Sequence, residues 1–187
     1  MEAANLLGEK SARVEFPWKD AGDEYLDLRE NAGAITQISV ARENPPFARL
    51  LLALNEEVSV FRTVRAKVWT ADAGDAGAEN IFQSRIELIF ARDSFNAMPE
   101  RIEEVVGRLV QLWMKDASAD SLSARLEILP CSYQISGRDG AALGITFSAR
   151  AANAEQARIR WSLGLVRVQQ ALLFVSREMK QRQGLNT

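Results

Sequence analysis

Histidine is absent from the 187-residue chain, and cysteine occurs once. The first absence removes Ser-His-Asp and Cys-His catalysis, the commonest general base, and most transition-metal sites. The second removes an intramolecular disulfide and any zinc site built on several thiolates of one chain, which suits a reducing compartment. Cys131 itself, beside Pro130 in a strand-like stretch, reads as a buried structural thiol. Glycine signatures of nucleotide binding are missing too: no G-x-G-x-x-G follows a strand pattern, no G-x-x-x-x-G-K-[ST] occurs, and there is no G-x-S-x-G. The opening MEAANLLGEKS lacks the basic start and apolar core of a signal peptide, and Arg167, Gln169 and Gln170 break the apolar runs of the last helix. No cofactor, metal or membrane is therefore expected, and the expected location is the cytoplasm.

What is present is ordinary globular composition, 47% apolar and 26% charged, in a length that one core commonly serves. One α+β domain over 1–187 is expected, with 1–12 a loose N-terminal segment and 183–187 a loose tail. The net charge of −2 hides an asymmetry: Lys+Arg against Asp+Glu is 6 to 11 over residues 1–57, 10 to 12 over 58–149 and 7 to 2 over 150–187. An acidic head and a basic tail flank a nearly neutral middle, either as two solvated faces or as a surface that orients a partner.

Along the chain, Val14, Phe16 and Trp18 alternate with charges as a short edge strand, limited by Pro17. Tyr25, Leu26 and Leu28, then Asn31-Ala32-Gly33, then Ile35, Ile38 and Val40 read as a hairpin. Pro45 and Pro46 open a short helix with Phe47, Leu50, Leu51 and Leu54 on one face. Period-two alternation from Val58 to Thr70 places Val58, Val60, Val64, Ala66 and Val68 on one side, with Phe61, Arg65, Lys67 and Trp69 on the other. After the polar loop 72–79, Phe82, Ser84, Ile86, Leu88 and Phe90 alternate again, completing an antiparallel hairpin. A helix over 99–115 carries Ile102, Val105, Val106, Leu109, Leu112 and Trp113. The same order recurs: a strand over 124–135, with a bulge or edge position at Pro130 where its apolar set changes parity, a turn at Gly137-Arg138-Asp139-Gly140, and a strand through Leu143, Ile145, Phe147 and Ala149. A final helix over 153–182 starts at the capping-box-like Asn153 and Gln156. The fold expected is α+β, a mainly antiparallel sheet of hairpins with helices on one face, arranged as duplicated ββα units.

Two groups of residues stand out. Arg62, Arg65, Lys67 and Arg85 gather cations on the first long hairpin, an anion-binding candidate, although acidic neighbours and the absence of an interleaved aromatic pattern argue against nucleic acid. The last helix is the stronger signal. Trp161, Leu165, Val168, Leu172, Val175 and Met179 form an a/d seam, and a second row of Ile159, Leu163, Val166 and Leu173 runs beside it. A helix apolar on more than one side has to be covered on more than one side. The small residues Ala157, Gly164 and Ala171 mark a line of close approach, and with Trp161, Leu165 and Val168 they make the expected protein interface.

The order short helix, hairpin, helix, hairpin, long helix resembles that of small secretion-chaperone-like domains, a resemblance that implies an acidic dimer. The expectation for function is a non-enzymatic protein-interaction or assembly module, an adaptor or chaperone-like factor, homodimeric or docking another protein. The alternatives are a small-ligand or anion-binding domain and a carboxylate-based enzyme without histidine.

Overall fold

In the computed structural model, which describes residues 1–17, 19–20, 23–72, 80–114 and 122–182, the alternating stretches pair into one sheet and the helices cover it. The elements are β1 (Glu2–Asn5), β2 (Val14–Phe16), β3 (Lys19–Asp20), β4 (Asp23–Glu24), α1 (Ser39–Glu43), α2 (Pro45–Asn55), β5 (Phe61–Asp72), β6 (Asn80–Phe90), α3 (Asp93–Asn96), α4 (Pro99–Met114), β7 (Leu122–Tyr133), β8 (Arg138–Ala151) and α5 (Ala154–Arg182). The main sheet runs β1-β7-β8-β6-β5, with β2 also on β7 and β3-β4 a separate ribbon. Among the described strands, only β1 and β2 are parallel to their neighbour. The architecture is α+β. Its four long strands, β5-β6-β8-β7, form two hairpins joined by their second strands, the arrangement duplicated ββα units would give.

One face of the sheet carries the main core. Phe61 of β5, Ile86, Leu88 and Phe90 of β6, Ala124, Leu126 and Ile128 of β7, and Leu143, Ile145 and Phe147 of β8 meet Leu50, Leu54, Ile102, Val105, Trp161, Leu165 and Leu172 from the helices. Ser84, a polar residue on the inward row of β6, accepts a hydrogen bond from the Trp161 indole N–H at 2.9 Å. That bond satisfies the one polar group of a fully buried tryptophan. Asn153 caps α5 as its sequence suggests, its Oδ1 accepting the Gln156 N–H at 2.9 Å.

The opposite face is not all solvent. Val14, Phe16, Val64, Ile89, Leu129, Cys131, Tyr133 and Ala142 form a second, smaller cluster there, with Leu6, Ala12 and Tyr25 packed against it. This explains the parity change at Pro130. No bulge occurs: β7 and β8 keep one continuous register from Leu122↔Ala149 to Tyr133↔Arg138. Ala124, Leu126 and Ile128 point to the helices, while Leu129, Cys131 and Tyr133 point to the second cluster. Nor is Pro130 on an outer strand. It falls between the stretch of β7 paired with β1 and the stretch paired with β2, where a residue with no N–H to donate leaves no ladder bond unmade.

Other expectations are corrected in the same physical terms. Residues 1–12 are not loose, because β1 pairs with Arg125–Ile128 and the Leu6 N–H reaches the Ile128 carbonyl at 2.9 Å. The stretch 25–40 is not a hairpin. Asp27 Oδ1 accepts the N–H of Arg29 at 3.0 Å, closing a local turn, and a 3-10 helix over Ala32–Gln37 and α1 follow. In β5 the register shifts between Thr63 and Arg65, so Val64 is an extra residue. Phe61, expected outward, therefore points to the main core, and Val64, expected inward, belongs to the second cluster. The second hairpin turns at Gln134–Gly137, with Gly137 at φ 62°, and Asp139 and Gly140 already lie in β8. Trp18, the loop 73–79, Lys115 and the tail 183–187 lie outside the described residues.

Candidate interaction surface

Three helices lie on the main core face, with α5 between α2 and α4. On one flank the Phe47 and Trp161 rings stand 6.0 Å apart and Arg158 donates to the Glu43 carbonyl at 3.1 Å. On the other, Arg108 of α4 makes a two-pronged bond to Glu178, both contacts 2.7 Å, and Arg182 pairs with Glu104. The Arg108 hydrogen bonds hold the Glu178 carboxyl below its ordinary pKa, and Glu178 raises that of Arg108. These pairs fix α4 and α5 antiparallel.

With its flanks occupied, α5 has one open side. The a/d seam faces inward: Trp161, Leu165, Val168, Leu172, Val175 and Met179 are all buried. The small stripe faces inward as well. Ala157 and Gly164 are buried, and Ala171 packs against the core. A Cβ on Gly164 would overlap the Phe147 ring of β8. The line of close approach read from these small residues is real, but it meets the chain's own sheet. Ala157, Trp161, Gly164, Leu165, Val168 and Ala171 are therefore core residues rather than a surface offered to a partner.

The surplus apolar circumference stays, and it lies on the second row. Ile159 is 54% exposed, Leu163 64%, Val166 47% and Phe174 42%. Phe174 is the member sequence reading passed over in favour of its half-buried neighbour Leu173; its spacing from Leu163, Val166 and Gln170 was the available signal. Arg108 lies 5.5 Å over the Phe174 ring and extends this face toward α4. Polar ends frame the stripe, with Glu155 and Gln156 at one end and Arg177 and Gln181 at the other.

Of the four candidate anion-binding cations, Lys67 and Arg85 are cross-strand partners, while Arg62 and Arg65 line separate clefts. Arg62 pairs with Asp27 at 3.2 Å and lines a cleft with Phe16, Asp93 and Tyr133. Arg65 lines a different cleft, with Tyr25, Leu28, Ile38 and Leu51. Lys67 is exposed opposite Arg85. Arg85 is held by two carboxylates of its own sheet: Glu87 at 3.1 Å, and Glu127, reached across β8. Gly144 makes that reach possible, since a Cβ there would come within 2.7 Å of the guanidinium. Burial opposes the Arg85 cation, but hydrogen bonds to Glu127 and Glu87 more than offset it, and its pKa stands above the ordinary value.

Glu87 and Glu127, both buried, are thus tied to structural work. The clefts by Phe16, by Tyr25 and between α4 and α5 each hold about 210 Å³, below the ~300 Å³ at which small-molecule sites begin. Among the described residues no three His, Cys, Asp or Glu side chains gather as a metal site, and no helix is long and apolar enough to cross a membrane. No family model matches the chain, and no curated protein or solved structure matches it.

Proposed function

We propose that this chain is a non-enzymatic protein-interaction module, an adaptor or chaperone-like assembly factor of the cytoplasm, that engages its partner through the outward row of α5. One observation carries the reading: Ile159, Leu163, Val166 and Phe174 stay open to solvent on a helix whose flanks are already filled by α2 and α4. A contiguous apolar stripe with a polar rim is the usual anatomy of a contact surface. Arg62 and Arg85 already pair with carboxylates, which lowers the charge the sheet can offer a phosphate backbone.

The test is capture from native lysate with the purified protein, read by mass spectrometry, against two variants. Leu163→Glu places a charge in the stripe, and Lys67→Glu alters the far face of the sheet. Proteins held by wild type and Lys67→Glu but released by Leu163→Glu are the expected result. Binding indifferent to Leu163→Glu and lost with Lys67→Glu would move the contact to the sheet.

A further inference from the structure

A stripe along the exposed face of α5 is self-complementary, and we infer that its occupant is a second copy of this chain, packed antiparallel about a two-fold axis through Val166. The inference rests on the reading of α5 as the contact surface and names what covers it.

The argument is positional. On a helix of 3.6 residues per turn, Glu155, Ile159, Ser162, Val166, Gln170, Leu173 and Arg177 fall in one narrow stripe. An axis at Val166 carries each position on one side onto the position equally far on the other. Glu155 then meets the partner's Arg177, Ile159 meets the partner's Leu173, Ser162 meets the partner's Gln170, and Val166 meets its own copy. Every layer matches in kind: acid with base, apolar with apolar, polar with polar. An isologous interface demands this, because each contact occurs twice with the roles exchanged.

A parallel pairing has no such match. It would set Glu155 on Glu155 and Arg177 on Arg177, like charges about 16 Å on either side of the centre. Leu163 and Phe174 flank the stripe on one side, level with Gln169 and Arg158 of the partner subunit under the same axis, and add apolar area at its edge. The two copies of Arg167 stand on that flank, about 90° around the helix from the Ile159–Val166–Arg177 line, outside the layers. A single helix pair buries less than the ~1,200 Å² of a standard interface, so the dimer is expected to be weak and to depend on concentration.

Cysteine cross-linking reads both partner and register, because the native Cys131 is buried. With a short bis-maleimide, Val166→Cys should give a covalent dimer where wild type gives none. Glu155→Cys and Arg177→Cys should each react poorly alone and efficiently when mixed. Sedimentation should show Glu155→Arg and Arg177→Glu each weakening association about tenfold, with the double exchange restoring it. Self-cross-linking of Glu155→Cys without reaction in the mixture would overturn the antiparallel register. A wild type that stays monomeric at hundreds of micromolar, yet still needs Leu163 to hold another protein, would overturn the second copy and leave the contact surface standing. A dimer untouched by Leu163→Glu would overturn both.

Discussion

Gly164 and Gly144 are both glycines that a side chain has displaced, and they make different predictions. Gly164 lies under the Phe147 ring, so Gly164→Leu should overpack the main core and lower stability by about 3 kcal/mol or more, read as the urea midpoint. Loss of association without loss of stability would mean that Gly164 faces outward after all. Gly144 leaves room for the Arg85 guanidinium to bridge Glu87 and Glu127. Arg85→Met should cost about 3 kcal/mol, because two buried carboxylates lose the cation they share. A midpoint within experimental error of wild type would show the network to be dispensable. Cys131 is held by burial at a pKa of about 11, with the nearby Tyr133 opposing the rise only in part. A thiol reagent at pH 8 should therefore label it only in denaturant, and rapid labelling of the native chain would contradict the second cluster that buries it.

Among the elements, the long ones were legible and the interrupted ones were not. Phe82 to Phe90 alternates without a break and folds as read, as do the faces of α2, α4 and α5, because a period sustained over three or more turns or strand pairs leaves one solution. In β5 a single extra residue, Val64, reverses the faces upstream of it, and nothing in the local pattern marks the insertion. Asn55 provides a physical clue only in three dimensions: its Oδ1 accepts the Thr63 N–H at 3.1 Å, at the shift. For 25–40, a spacing of three between Ile35 and Ile38 fits the 3-10 helix better than a strand, and the side-chain turn at Asp27 settles the competition.

Between α4 and α5 the Arg108–Glu178 pair gives a pH dependence. A carboxyl whose pKa is depressed by folding adds stability above its ordinary range, and that stability is lost as pH falls through the depressed value. Arg108→Met should thus be less stable than wild type at pH 7, and the gap between their urea midpoints should close on acidification below the ordinary carboxylate range. A gap that widens in acid would contradict the assignment.

For the whole molecule, the proposed interface was half legible. The surplus of apolar surface on α5 follows from counting its rows, and it survives folding. Which row faces out could not be read, because small residues signal close approach without saying to what; here they approach β8, and the exposed row is the one with larger side chains. The acidic head and basic tail are neighbours: Arg158 donates to the Glu43 carbonyl at 3.1 Å, and Lys180 reaches the Glu57 carbonyl at 2.5 Å. Both acceptors are main-chain carbonyls, so these bonds bring the two segments together without pairing their charges.

That face is tested most directly by sedimentation equilibrium of wild type and Leu163→Glu over about 10–300 μM. The account predicts a wild type whose mass rises from monomer toward dimer with concentration, and a Leu163→Glu chain that stays monomeric with an unchanged urea midpoint, since Leu163 is already in water. A wild type and a variant with the same association curve would contradict it.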